Sequence, residues 1–390
     1  MTKKPVETTS SAATLSAARS FTRRTLLKSA ALAGAATVGG PYLLRRAWAQ
    51  SGELKIFAWS GYISDEMLAD FKSKTGITAT YTPYGDQGEA LNQLRATGGA
   101  GFDLIQPTVD RVPEFVAQEV LQPLDENKIN WDGCIESAVT GSETRGGVVD
   151  GRRYVAPSDW GTEALAFDST VAPLEYGKAS YGDLWNPDYA GQVTLRGHSG
   201  LVGIGLWLEA EGRLPHPMID SFKSEEIMRA NYDVILQTAI ENKDKIGQFW
   251  ANENEAQAAF RTNGCVIGQT WDGTAATLRK EGLPIRYLAP KEGALTWLEG
   301  FSITKGAENV EAAYAWINWY YTPEAGAMYT RHSGYNTTAK GAEEFLPEDA
   351  KTFFAEAYPG DALDKLWWWP VQESWFVSAR NEYQDRFLSA

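Results

Sequence analysis

Cysteine, histidine and long apolar runs are scarce in this chain: of 390 residues, two are cysteine and three are histidine. Two thiols, Cys134 and Cys265, cannot staple a small scaffold, so a packed core must hold the fold. They could form one disulfide in an oxidising compartment or stay as two buried thiols, and the sequence leaves both open. His198, His216 and His332 lie far apart and match no HExxH or similar spacing, so each reads as a loop or surface residue and no metal ligand is expected. The chain also lacks a G-x-S-x-G elbow, a P-loop and a G-x-G-x-x-G opening a helix after a strand. No catalytic residue and no cofactor follow from any motif. Carboxylates are plentiful, so a two-carboxylate hydrolase survives as an alternative on composition, although no pair stands out.

Beyond the N-terminal region no run approaches the roughly 20 apolar residues that span a bilayer. That region reads as a leader. Thr22-Arg23-Arg24-Thr25-Leu26-Leu27-Lys28 is a twin-arginine pattern, a weakly apolar Ala/Gly-rich run follows, and Ala47-Trp48-Ala49 is an A-x-A cleavage site. Residues 1–49 are therefore set aside as a twin-arginine signal peptide, and the processed protein is expected in the periplasm without membrane insertion. Removing the leader takes away eight of 36 basic residues and one of 50 acidic ones, leaving a net charge of −21. So acidic a body disfavours nucleic acid and anionic lipid surfaces, and would attract cations at long range. It is expected to act as a monomer.

The remaining chain alternates strand and helix. Leu54–Ile63 opens as an alternating strand and ends in an aromatic turn, Trp59-Ser60-Gly61-Tyr62; Ser64 is placed to cap the next helix, with Asp65 and Glu66 in its first turn. Helix 66–75, strand 77–84, helix 89–97 and strand 102–107 continue the pattern, which means parallel βαβ units. A polar turn and a strand ending near Pro157 mark the crossing to a second lobe. There the strands 191–195, 249–250 and 264–273 alternate with helices 197–211, 224–243 and 253–262, and a helix rich in Ala, Trp and Tyr covers 307–321.

What recurs is an aromatic beside a polar group at an expected strand end: Trp59-Ser60 with Tyr62, Thr108 with Asp110, Trp271-Asp272, Trp297 with Glu299, and Tyr335-Asn336. In open α/β sheets such ends form the ligand crevice. Any single ring could merely fill core. Together they suit a cationic amine, because an ammonium over an indole gains ~0.5–2 kcal/mol and a carboxylate adds a charge-assisted hydrogen bond.

The chain resembles the periplasmic polyamine-binding proteins of ABC importers, of the spermidine/putrescine type. The markers are Phe57-Ala58-Trp59-Ser60-Gly61-Tyr62, Phe102-Asp103-Leu104-Ile105 before Pro107-Thr108, Trp160-Gly161, Leu184-Trp185-Asn186-Pro187-Asp188-Tyr189-Ala190-Gly191, Trp271-Asp272-Gly273, Pro290-Lys291-Glu292-Gly293, Trp297-Leu298-Glu299 and Gly334-Tyr335-Asn336. The resemblance implies a two-lobe periplasmic-binding-protein fold, type II-like. Each lobe is then a mostly parallel sheet flanked by helices, with a ligand cleft between them that closes by a hinge. Lobe 1 would be 52–157 plus 299–343, and lobe 2 158–298 plus 344–390. The implied function is a receptor that captures a putrescine- or spermidine-like amine and hands it to an inner-membrane ABC permease. It would not be an enzyme. The family's aromatic contacts fall on Trp59, Tyr62, Trp271, Trp297 and Tyr335, its hydroxyl contacts on Ser60 and Thr108, its ammonium-pairing carboxylate on Glu299 and a late amide on Gln372.

Two positions depart from the pattern. The loop Leu195-Arg196-Gly197-His198-Ser199-Gly200 has lost the family's carboxylates and gained a basic group, and an aromatic near Thr108 is replaced by Asp110. Asp110, Asp159, Glu163 and Asp272 are acids expected near the cleft, though Asp159 and Glu163 could pair locally and Asp110 could cap a helix. Same-fold alternatives therefore stay open: a zwitterionic amine met by Arg196 or His198, a sugar stacked on Trp, or ferric ion on Tyr and carboxylate oxygens. For the last, Tyr320-Tyr321 is a pair, but its apolar helical setting reads as core.

Overall fold

The structure, a computed structural model, describes residues 52–390, so the expected leader lies outside the described residues. Strand β1 (Glu53–Trp59) buries Leu54, Ile56, Phe57 and Ala58 and hands the chain to the aromatic turn. Ser64 caps the helix Asp65–Thr75 as expected, its Oγ accepting the Met67 N–H at 3.2 Å; Gly76 ends the helix at φ 79°, which glycine adopts without steric cost. β2 (Thr78–Tyr84) and β3 (Leu104–Ile105) lie parallel to β1 on its two sides, connected through the helix Gln87–Thr97.

A small hairpin, β4 (Val148–Val149) with β5 (Arg152–Arg153), precedes β6 (Ala156–Asp168), a strand buried along all but its last residue. Near-continuous burial is what a strand covered on both faces requires. The second parallel unit has β7 (Val193–Arg196) between β8 (Ile246–Trp250) and β9 (Ile267–Trp271), with helices Gly197–Ala210, Glu225–Glu241 and Glu253–Arg261 as connections. β10 (Ile285–Leu288) and β11 (Leu295–Ile303) return antiparallel to β6; β12 (Asn336–Thr337) also pairs with β6, and β13 (Trp367–Trp368) runs beside β11.

The sheet order β2-β1-β3-β11-β6-β9-β7-β8 shows what joins the halves. β11 pairs Ser302 and Ile303 with β3, and Leu295 to Glu299 with β6, so the two long antiparallel strands cross between the parallel units. This is the expected α/β architecture of two lobes. The β6–β11 register slips between Glu299 and Gly300, a bulge that bends the pair where the lobes meet. A Cβ at Gly300 would stand 2.5 Å from the Ala156 carbonyl, so only glycine allows that approach.

The helix expected over 307–321 spans Val310–Tyr320. Its start is set from afar: Asp103 Oδ1 accepts the N–H groups of Glu308 and Asn309 at 2.9 Å each, a cap no local pattern reveals. Tyr320 and Tyr321 are core residues, and the Tyr321 hydroxyl donates to the Pro157 carbonyl at 2.8 Å. Cys134 and Cys265 are free, buried thiols. No described helix is long and apolar enough to cross a membrane. The C-terminal helix Ser374–Ser389 packs on Glu225–Glu241 and Gly197–Ala210, which carries the segment around Gln372 and Arg380 to the mouth of the second parallel unit.

Candidate functional site

Three strand ends of the first unit converge on one cleft. β1 delivers Trp59, Ser60 and Tyr62, β2 delivers Tyr84 and Asp86, and β3 leads to Thr108, Asp110 and Arg111. Asp86 caps the helix Gln87–Thr97 by accepting the Gly88 N–H at 2.8 Å. Gln87 and Thr108 lock their two loops reciprocally: the Thr108 N–H donates to Gln87 Oε1 at 2.8 Å, and Gln87 Nε2 donates to Thr108 Oγ1 at 2.9 Å.

The facing wall comes from the second unit and the crossing strands. β7 ends in Arg196, followed by His198 and Ser199 in the first turn of Gly197–Ala210; β8 ends near Asn252 and Glu253, and β9 ends in Trp271. β6 contributes Glu163, β11 contributes Trp297 and Glu299, and Trp369, Gln372 and Arg380 close the C-terminal side. The cleft spans about 890 Å³ of space with the solvent at its open mouth included, and its mix of aromatic and polar lining is of the kind that holds a small molecule. Its aromatics form a chain of ring contacts: Trp271 to Trp297 at 6.3 Å, Trp297 to Tyr335 at 5.7 Å and Tyr335 to Tyr62 at 5.3 Å between centroids. Each step is tilted or edge-on, which leaves ring faces free to line the space.

Charge in the cleft is sorted into two poles. At one stands Glu299, 2 % exposed, whose Oε2 makes no hydrogen bond. Burial pushes its carboxyl well above the usual carboxylate range; the facing Asp159 adds to this, and the Tyr62 hydroxyl opposes it. Burial likewise raises Asp159 to about 6, although its Oδ1 accepts from Gln106 Nε2 at 2.8 Å and Ser158 Oγ at 2.6 Å. Glu253 is raised by burial too, with the Tyr335 hydroxyl donating to it at 2.9 Å.

The other pole is basic. Arg380 reaches Gln372 Oε1 at 2.8 Å, and Gln372 Nε2 in turn donates to Asp110 Oδ2 at 2.8 Å. Burial lifts Asp110 to about 6, against the pull of Arg111. Arg196 lies over the Trp271 ring at 4.9 Å and the Trp250 ring at 5.4 Å. Burial pushes His198 well below its usual range, and Arg380, Arg196 and Arg111 push the same way, so it is neutral.

Ten of the eleven expected site residues line this cleft: Trp59, Ser60, Tyr62, Thr108, Asp110, Trp271, Trp297, Glu299, Tyr335 and Gln372. Asp272 does not. It lies behind the wall, 1 % exposed, accepting the Tyr358 hydroxyl at 2.7 Å and the Gly273 N–H at 3.1 Å. The strand end that presents Trp271 turns at once into the helix Asp272–Lys280, which aims the next side chain inward to the protein. Glu163 does reach the cleft, while Asp159 backs Glu299 from the neighbouring strand. Asp110 caps nothing: no side-chain cap is made at the 3₁₀ turn Val109–Arg111 or at the helix after it.

Sequence reasoning missed Tyr84, Asp86, Asn252, Glu253, Arg111, Trp369 and Arg380. For the first four a signal existed: Tyr84-Gly85-Asp86 and Trp250-Ala251-Asn252-Glu253 are again aromatics followed by polar groups at strand ends. Arg380 carries no such signal, since packing of the C-terminal helix brings it in, and Trp369 is placed by the pairing of β13 with β11, its N–H donating to the Thr296 carbonyl at 3.0 Å.

Comparison with known proteins agrees with this architecture. Residues 66–358 match the family model described as bacterial extracellular solute-binding protein. The spermidine/putrescine-binding periplasmic protein of Escherichia coli K12 is 24% identical over 308 residues, covering 78% of this chain and 83% of that one. The putrescine/agmatine-binding protein of Pseudomonas aeruginosa is 26% identical over 309 residues, covering 74% and 79%. Among solved structures, the spermidine/putrescine ABC transporter substrate-binding protein of Streptococcus pneumoniae superposes with a TM-score of 0.66 at 24% identity, covering 87% of this chain and 98% of that one.

Proposed function

The chain belongs to the bacterial extracellular solute-binding protein family, a family of receptors rather than enzymes, and we propose that it is the periplasmic receptor of an ABC importer for a small cationic amine. One observation carries the ligand class: Glu299, a buried carboxyl with an unpartnered oxygen, opens on a cleft walled by Trp59, Tyr62, Trp297 and Tyr335. An ammonium there gains a charge-assisted hydrogen bond in a poorly screened site and cation–π attraction from the rings, each stronger than in water. The spermidine- and putrescine-binding relatives support the same class.

In this reading the lobes are 52–157 plus 299–343 and 158–298 plus 344–390, hinged where β6 and β11 cross. Trp59, Ser60, Tyr62, Thr108 and Tyr335 hold the ligand from one side and Trp271 and Trp297 from the other, with Glu299 at the crossing. A ligand touching both walls favours the closed form by the contacts that only this form makes, and the closed form is what a permease would recognise. A twin-arginine leader would bring the folded protein to the periplasm.

Calorimetry with a panel of linear amines, sugars and amino acids tests the reading, with Glu299→Gln as the diagnostic variant. Because burial in the empty site already favours the neutral carboxyl of Glu299, glutamine should keep the fold. Amine affinity should fall by a factor of ten or more. Sugar binding in place of any amine, or full amine affinity in Glu299→Gln, would defeat it.

A further inference from the structure

Two arginines at the basic pole of the cleft have no counter-ion in contact with them. Among the described residues no carboxylate lies within 4 Å of Arg196 or Arg380, although Arg111 in the same wall pairs with Glu114. Arg380 is 7 % exposed, and its hydrogen bonds go to neutral amide oxygens of Gln372 and Asn381. Among the described residues the Arg196 guanidinium has no hydrogen-bond partner; it rests on the faces of Trp250 and Trp271. His198, next to both, keeps an unpartnered buried Nδ1. Glu163 and Asp86 act on Arg196 only at longer range.

Guanidinium groups do not shed their protons to relieve this, whereas the acids around them do take up protons. Burial lifts Asp110 to about 6 and raises Glu163. Taking a cation out of water without a partner is costly, so a partner that arrives with the ligand would be strongly favoured. The first-turn N–H groups of Gly197–Ala210 lie at the same place, and they favour an anion. Arginine forks match a carboxylate with two parallel hydrogen bonds.

Resting on the reading of Glu299 as the ammonium site, we propose that the natural ligand is an amino acid of the ω-type: an ammonium at Glu299 and a carboxylate at Arg380 and Arg196, separated by a short alkyl chain. A row of rings stands between the two poles, which favours charges set several carbons apart over those of an α-amino acid. Arg196 lies on Trp271, whereas Tyr62 and Glu299 lie beyond Trp297 and Tyr335, each ring step being more than 5 Å. The alkyl chain would run along these rings. The loop 195–200, which lacks any acid, then selects against a second ammonium by like-charge repulsion.

The test is calorimetry of the protein against ω-amino acids of three to six carbons, the α,ω-diamines of equal length and the matching n-alkylamines. An ω-amino acid should bind at least tenfold tighter than the diamine and alkylamine of its length. Arg380→Met and, independently, Arg196→Met should each remove at least tenfold of that affinity while leaving or improving diamine binding; circular dichroism of both variants reports folding. If diamines bind as tightly as the amino acids at every length, or both variants keep full amino-acid affinity, the carboxylate pole is wrong while the amine receptor stands. If neither series binds and a sugar does, the amine reading itself fails.

Discussion

Asp159 and Glu299 face each other across β6 and β11 on the last register pair before the strands slip, and each keeps one carboxylate oxygen without a hydrogen bond. Two acids so placed cannot both ionise in a dry site, and Glu299 is the one raised furthest. An ammonium arriving beside Glu299 reverses its preference, so binding should release a proton. Titration calorimetry in two buffers of different ionisation enthalpy near pH 7 should give different heats. Affinity should climb with pH until Glu299 is ionised in the empty protein. In Glu299→Gln the buffer dependence should shrink; identical heats in both buffers for the native protein would contradict the assignment.

The same buried acids make the empty protein more stable at mildly acidic pH. The sign follows from proton uptake: Asp110 and Asp159 at about 6, and Asp272 at about 7, bind more protons folded than unfolded once the pH exceeds about 4. Their contribution is complete below the unfolded carboxylate range and is lost as pH rises through 6 and 7. His198 and His332, lowered by burial, oppose this below 6.5, but they are two groups against several acids. Thermal melts of the ligand-free protein should therefore fall by several degrees from pH 5 to pH 8, and a saturating amine should flatten the slope. A melting temperature that rises over this interval would contradict the account.

Much of this was legible because strand ends in an α/β sheet are read from local pattern. Trp59, Thr108, Trp271 and Glu299 each follow or close an apolar run, and the fold carries every such end to one crevice. Asp272 shows the limit: one residue beyond Trp271 the chain is already helical, so the acid turns into the protein and meets Tyr358. Arg380 and Trp369 show the other limit. Arg380 depends on how the helix Ser374–Ser389 packs against a distant part of the chain, and Trp369 on the pairing of β13 with β11, neither of which any periodicity encodes. The Asp103 cap on Glu308 and Asn309, about 200 residues away, is of the same kind.

Cys134 and Cys265 should be chemically silent in the native state. They are 3 % and 4 % exposed, and burial pushes both thiols up to about 11, so neither offers thiolate at neutral pH. Ellman's reagent should react with neither until the protein unfolds, and then with both. Reductant should leave the melting temperature unchanged. A single fast-reacting thiol in the native protein, or a reductant-sensitive melt, would show that the packing around one of them is different.

Gly161 seats the central indole of the cleft. It faces Trp297 across β6 and β11, and a Cβ there would lie 2.4 Å from the Trp297 Cζ2 and 2.9 Å from Asp272 Oδ1. Gly161→Ala must therefore displace the ring, an overpacking cost of ~1–3 kcal/mol. Because Trp297 touches both Trp271 and Tyr335, its shift would also spoil the wall along which a ligand lies. Amine affinity should drop about tenfold. Trp297→Ala should lose a similar amount, but in the double variant the methyl has no indole to strike. The two losses should then fall well short of additive, the signature of neighbours acting through one contact. Additive losses would mean that Gly161 acts through Asp272 behind the wall, and that Trp297 keeps its place without it.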